Sequence, residues 1–197
     1  MLAGPFAIAA GAKVPAPRVP LWALVIGAQL LNLGYLILHL AGLEGTDQDA
    51  LLATPGPGVN SEAPYSHALL TAFVVAVLAG LLARALWGAG TGLIMALVVG
   101  APWLLDLLLY QDLPILPGEA AGLGRYGLGL DGMPPARAII EVVLVLGGAF
   151  LYYRAAMRLP APSIRSSQEY RVRAFTAALV TAVLLVAALA VSLLGLD

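Results

Sequence analysis

Residues 66–110 read SHALLTAFVVAVLAGLLARALW–GAG–TGLIMALVVGAPWLLDLLLY. Two apolar runs, 66–87 and 91–110, are parted by three small residues. About 20 apolar residues in a helix cross the hydrocarbon layer, and both runs meet that length. In lipid each backbone polar group needs a partner within the protein, which a helix supplies along its own length. The stretch therefore predicts a pair of transmembrane helices joined by a short turn. It sets the class as an all-α integral membrane bundle.

The rest of the chain agrees. Of its 197 residues 61% are hydrophobic and 11% charged, with a mean hydropathy of +0.94. A soluble domain would carry about 25% charge. Five spans are expected, at about 21–43, 66–87, 91–110, 136–157 and 174–196, in a single transmembrane domain covering 1–197. Residues 1–14 are apolar but too short to cross, and Pro5, Pro15, Pro17 and Pro20 interrupt or flank them. They read as an interfacial or re-entrant segment. A cleaved signal peptide would carry positive charge ahead of its apolar core, whereas Lys13 follows it here.

Lys13, Arg18, Arg84, Arg154, Arg158, Arg165, Arg171 and Arg173 fall on one side of this five-span chain. Only Arg125 and Arg137 fall toward the other. Cytoplasmic loops carry the excess of Lys and Arg, which predicts a cytoplasmic N-terminus and an outer C-terminus in a bacterial inner membrane. The two outer loops are rich in Gly and Pro, as in ATPGPGVNSEAP and GLGRYGLGLDGMPP. Such composition favours ordered turns or coil.

A net charge of −1 offers no basic surface to nucleic acid. No P-loop, HExxH, GxSxG or CxxCH is present, and the glycines of GLGRYGLGLDG do not fit a nucleotide-binding strand–turn–helix. Neither nucleic acid nor nucleotide is expected as a partner. The chain has no cysteine, which removes disulfides and thiolate metal sites. Inverted repeats and paired broken helices, the marks of many transporters, are absent from the pattern.

Polar groups inside the spans carry the functional reading, because ionisable side chains in a membrane face the bundle interior and have partners. They are Asn32 and His39 in the first span, His67 opening the second, Asp106 and Tyr110 late in the third, and Glu141 early in the fourth. Asn32 and His39 are two helical turns apart, and Tyr110 lies one turn beyond Asp106. Apart from the deeper Asn32, all sit toward the outer ends of their helices. Three readings follow. One is a structural polar cluster of Asn32, His39, His67, Asp106, Tyr110 and Glu141. The second is a metal or catalytic site, since imidazole and carboxylate together suit zinc or iron. The third is a set of unrelated polar residues. A haem or chlorin on His39 would be a fourth use, although an isolated His on an apolar face is usually a hydrogen-bonded core residue.

PYSHALL, WLLD…DLPILPG and GLGL…P…IIE, with GPFAIAAGAK, AQLLNL and LYYRA in the same order, resemble a bacterial integral-membrane family. Its members are often labelled membrane-bound metal-dependent hydrolases or, loosely, permeases. The likeness runs from Met1 to about Met157. It implies a divalent metal and a site in which His67, Asp106 and Glu141 are the matching residues. Where the family pattern has His, this chain has Pro5, Pro102 and Tyr110, and Asn32 stands in place of Asp. A catalytic metal centre generally needs about three protein ligands and an open position, with a supporting shell of hydrogen bonds behind them. The expected function is accordingly a non-catalytic accessory or structural subunit. It would be surrounded by membrane lipids, pack on other integral-membrane subunits and need no cofactor. The alternative is a metal-dependent membrane hydrolase using His67, Asp106 and Glu141.

Overall fold

The structure, a computed structural model, describes residues 3–44, 64–111, 113–118, 126–158 and 167–193. Seven α-helices are described: α1 (Ala3–Gly11), α2 (Leu21–Ala28), α3 (Leu30–Leu40), α4 (Leu69–Trp87), α5 (Ala89–Leu109), α6 (Pro134–Arg158) and α7 (Ser167–Leu193). A 3-10 turn, Leu130–Gly132, precedes α6. There is no strand among the described residues; Leu113 and Tyr126 form one isolated antiparallel bridge. Stretches of α4, α5, α6 and α7 are each long and apolar enough to cross a membrane, and α2 with α3 makes a fifth if the bent pair counts as one span. The protein is an all-helical membrane bundle.

The hairpin α4–α5 forms as its sequence suggests, and small residues set its closeness. Ala72, Ala76, Gly80 and Ala83 are the buried residues of α4. A β-carbon on Gly80 would lie 2.8 Å from the Gly92 carbonyl oxygen, and one on Gly92 would lie 2.9 Å from that of Gly80. The two backbones thus touch where both side chains are hydrogen. In lipid, helix association draws on such contact rather than on a hydrophobic force between helices. At the turn, the Thr91 hydroxyl lies 2.9 Å from the Ala83 carbonyl and 2.8 Å from that of Gly88, and bonds both. Arg18 lies against Gly88, and Trp22 meets the Trp87 ring edge-on at 6.5 Å. Arg18, Trp22, Arg84 and Trp87 therefore share one end of the bundle.

The expected first span, 21–43, is not one straight helix. It breaks at Gln29, and α2 and α3 meet at 53°. Gln29 has φ −108° and ψ 2°, outside the α region, and its N–H bonds the Ile26 carbonyl three residues back. Before the break, Gly27 lets α2 press on Met95 of α5. Beyond it α3 turns outward, and Leu33, Leu36, Ile37 and Leu40 are exposed to the surroundings.

The N-terminal segment proves to be an inner element of the bundle. In α1, every residue except Phe6 and Ile8 is buried. The helix contacts α2, α5, α6 and α7, so it packs inside the bundle. Its nine residues rise only about 14 Å, less than half the hydrocarbon thickness. Ala3 lies by Glu141, Ala7 by Gly148 and Gly11 by Leu151, so α1 runs parallel to α6. A β-carbon on Gly148 would collide with the Ala7 carbonyl. Pro5 is tolerated because first-turn N–H groups have no intrahelical acceptor. The turn to α2 is held by Lys13, whose ammonium donates to the carbonyls of Pro17 and Val19. Burial pushes the Lys13 pKa below its usual value.

Candidate functional site

The end of the bundle opposite Gly88 is built around the segment that leads into α4. Ala68, the residue before that helix, is extended and offers no side-chain cap. Loop carbonyls take over: Leu69 N–H donates to Pro114 O at 3.0 Å and Leu70 N–H to Ile115 O at 3.1 Å. Gly118 N–H returns to Pro64 O at 3.2 Å. The end of α5 is closed in the same way. Leu128 N–H donates to Leu107 O and Gly129 N–H to Tyr110 O, at 2.9 and 3.2 Å. Gly127 sits between them at φ 150°, where a β-carbon would overlap the Tyr110 carbonyl; only glycine fits there.

Side chains complete this frame. Glu44 is 2% exposed, and its Oε1 accepts the N–H groups of Tyr65 and Ser66, each at 2.7 Å. Its Oε2 has no hydrogen-bond partner among the described residues. His39 Nδ1 lies 3.0 Å from the Glu44 carbonyl oxygen and so holds a proton there, because a carbonyl only accepts. Tyr35 stacks on His39 at 5.6 Å and meets His67 edge-on at 6.1 Å. The Ser66 hydroxyl is 2.9 Å from His67 Nδ1. Trp103 donates its indole N–H to the His67 carbonyl at 2.9 Å. His67 Nε2 faces Asp106 Oδ2 at 3.8 Å, too long for a direct hydrogen bond.

Of the residues singled out in the sequence, His67 and Asp106 are thus neighbours, and His39 joins them through Tyr35 and the Glu44 backbone. Tyr110 takes part through its main chain, receiving Gly129 and donating to Asp106 O at 2.8 Å. Asn32 serves the α2–α3 bend, where its side-chain amide donates to Gln29 Oε1 at 2.7 Å on an exposed face. Glu141 serves α1. It is fully buried, its Oε1 lies 3.4 Å from the Ala3 N–H, and its Oε2 has no hydrogen-bond partner among the described residues. A carboxylate there complements the positive end of the α1 dipole.

Among the described residues, no three His, Cys, Asp or Glu side chains are placed to hold a metal ion. His67 and Asp106 offer two donors to one region, while Glu141 is committed to the Ala3 amide. The donor set does not fit a three-ligand centre. Pro5 and Pro102, which stand at His positions of the resembled family, are both buried within helices and have no ligand atom.

Glu44, Ser66, Tyr35, Trp103 and Gln29 are the contributors that sequence reasoning passed over. Trp103 had a signal, being three residues from Asp106 and so on the same helical face. Tyr35, four residues before His39, had the same one. Glu44 had none beyond its place at the edge of an acidic loop. Comparison with known protein families, curated proteins and solved structures gives no match to this chain.

Proposed function

We propose that this chain is a non-catalytic multi-pass membrane protein, an accessory or structural subunit that packs against other subunits in a membrane. The observation that carries the reading is the division of labour among its buried acids. Glu44 ties down the Tyr65 and Ser66 amides, and Glu141 takes the Ala3 amide of α1. Asp106 lies beside His67. These groups fasten chain segments together; no three of them converge on a reacting centre. The resemblance to the membrane-bound hydrolase family fits this reading if the chain is a member whose polar core serves as scaffold.

The basic end belongs on the cytoplasmic side of a bacterial inner membrane in this reading. Residues 12–20 and Gly88 then face the cytoplasm, and Gly118 and Leu128 face outward. Ala3 lies within the bundle between the two faces, and the end of α7 reaches the outer side.

Extraction in a mild detergent, followed by mass spectrometry and metal analysis, tests the proposal. Other integral-membrane proteins are expected at fixed ratio to the chain, without a stoichiometric transition metal. Zinc, iron or manganese held one per chain and lost on Asp106→Asn would overturn it in favour of the hydrolase.

A further inference from the structure

The outward side of α3 carries a polar group at a depth where lipid offers only hydrocarbon. A bend of 53° does not turn the chain back. Helices α2 and α3 therefore run from the Trp22 end of the bundle to the end that holds His39 and Glu44. Asn32 falls just past the midpoint of the stretch from Leu21 to Leu40, near mid-membrane, and its side chain is exposed. Among the described residues it makes one hydrogen bond, from its amide nitrogen to Gln29 Oε1 at 2.7 Å. The Asn32 Oδ1 and one of its N–H groups stay open. Behind it, the buried Gln29 Nε2 also has no partner among the described residues. Acyl chains neither donate nor accept hydrogen bonds, so lipid leaves this amide unanswered.

Two features name what answers it. The first is that a carboxamide is self-complementary. The open N–H of one copy meets the open Oδ1 of another, and the reverse, across a two-fold axis. A second copy inserted in the same orientation presents that amide at the same depth. Any other helix would need a polar group of its own at that level. The second feature is the surface around Asn32. Asn32, Leu36 and Leu40 recur every fourth residue with Leu33 and Ile37 beside them, a face about 140° wide at 3.6 residues per turn, and all five are exposed. Leu31 is the one residue of α3 that the bundle buries. Exposed leucines are ordinary against lipid; the asparagine among them is not. No Asp, Glu, Lys or Arg lies between Arg18 and Glu44, so two parallel copies meet no like charge along this helix.

We infer that α3 pairs with α3 of a second copy about a two-fold axis along the membrane normal, the two Asn32 amides bonded to each other where the helices cross. Hydrogen bonds between such side chains join helices within a bilayer. The pairing goes beyond the accessory role and needs only the membrane bundle. The purified chain alone tests it, so a monomer would leave that role standing.

Leu36→Cys and, as a control, Leu184→Cys at an exposed position of α7 each place a single thiol in a chain that has none. The full-length variants are reconstituted in lipid vesicles and oxidised, and the disulfide-linked dimer is followed as protein is diluted in lipid. Leu36→Cys should link and Leu184→Cys should not. Asn32→Leu added to Leu36→Cys should raise the dissociation constant about tenfold, the loss of two interhelical hydrogen bonds. Asn32→Gln, which keeps a carboxamide, should stay within about threefold of the parent. Four results would overturn the inference: no link through Leu36→Cys at the highest protein-to-lipid ratio, linking through Leu184→Cys in its place, undiminished dimer with Asn32→Leu, or, in native membranes, a link from Leu36→Cys to a different protein alone. Should Asn32→Leu fail to fold, the comparison of the two cysteine positions decides the matter without it.

Discussion

The Glu44 carboxylate accepts the Ser66 amide at 2.7 Å, joining the end of the first bent span to the start of α4 across 22 positions of chain. The same oxygen takes the Tyr65 amide. Neither amide has another acceptor among the described hydrogen bonds, so the two depend on one side chain. Glu44→Ala should destabilise the protein by about 2–4 kcal/mol, since a buried donor left without an acceptor costs about 1–3 kcal/mol. Glu44→Gln keeps a carbonyl oxygen at the site and should lose less than half of that. Thermal unfolding of the detergent-solubilised variants measures both. Equal losses for the two would show that charge, rather than the acceptor, matters at this position.

A second expectation concerns the α4–α5 contact. Gly80→Ala would place a methyl group 2.8 Å from the Gly92 carbonyl and 3.1 Å from Ala96 Cβ. Backbone cannot yield there as a flexible side chain would, and overpacking of this kind typically costs 1–3 kcal/mol. Gly100→Ala, on the same hairpin, meets nothing within 4 Å and also gains helix propensity. The first variant should melt below the parent and the second at or above it. Comparable melting of the two would mean that the hairpin is looser than the Gly80–Gly92 approach implies.

What the sequence made legible, and what it hid, follows from the range of the interactions. The hairpin was readable because two apolar runs and a GAG junction specify it locally. The break at Gln29 was not, since no proline marks it, and Gly27, Gln29 and Asn32 in an apolar run suit a straight, closely packed helix as well as a bent one. The burial of α1 was left open because a run of Ala and Gly suits an interfacial segment as well as close helix packing. At the candidate site, shared depth and the family resemblance grouped His67, Asp106 and Glu141. Depth says nothing of azimuth, and Glu141 faces α1. Glu44 was hidden because its partners are main-chain amides 21 and 22 residues on, which carry no mark in any side-chain pattern.

Topology gives a third expectation. Single cysteines introduced at Gly118 and Leu128 should react with an impermeant thiol reagent added to intact cells, and one at Gly88 should react only after permeabilisation. The native chain has no cysteine to confuse the readout. Eight of its ten basic residues on one side motivate the assignment. Labelling of Gly88 from outside would reverse the orientation.

Glu141 separates scaffold from enzyme. Its Oε1 is the acceptor for Ala3 N–H and its Oε2 is buried without a hydrogen-bond partner among the described residues. A neutral amide at this position retains the acceptor and removes the need to bury a carboxylate, whose desolvation is expensive. Glu141→Gln should therefore leave thermal stability unchanged or raised. Glu141→Leu deletes the acceptor, leaves the Ala3 amide unanswered and should lower stability by about 1–3 kcal/mol. If the carboxylate instead served as a metal ligand, the difference would vanish. Gln would then release metal and destabilise the chain as much as Leu does, because an amide is a far poorer ligand for zinc or iron than a carboxylate. Melting curves of the two variants, each recorded with and without a chelator, distinguish these outcomes. A chelator-insensitive chain with Gln above Leu is the expected result.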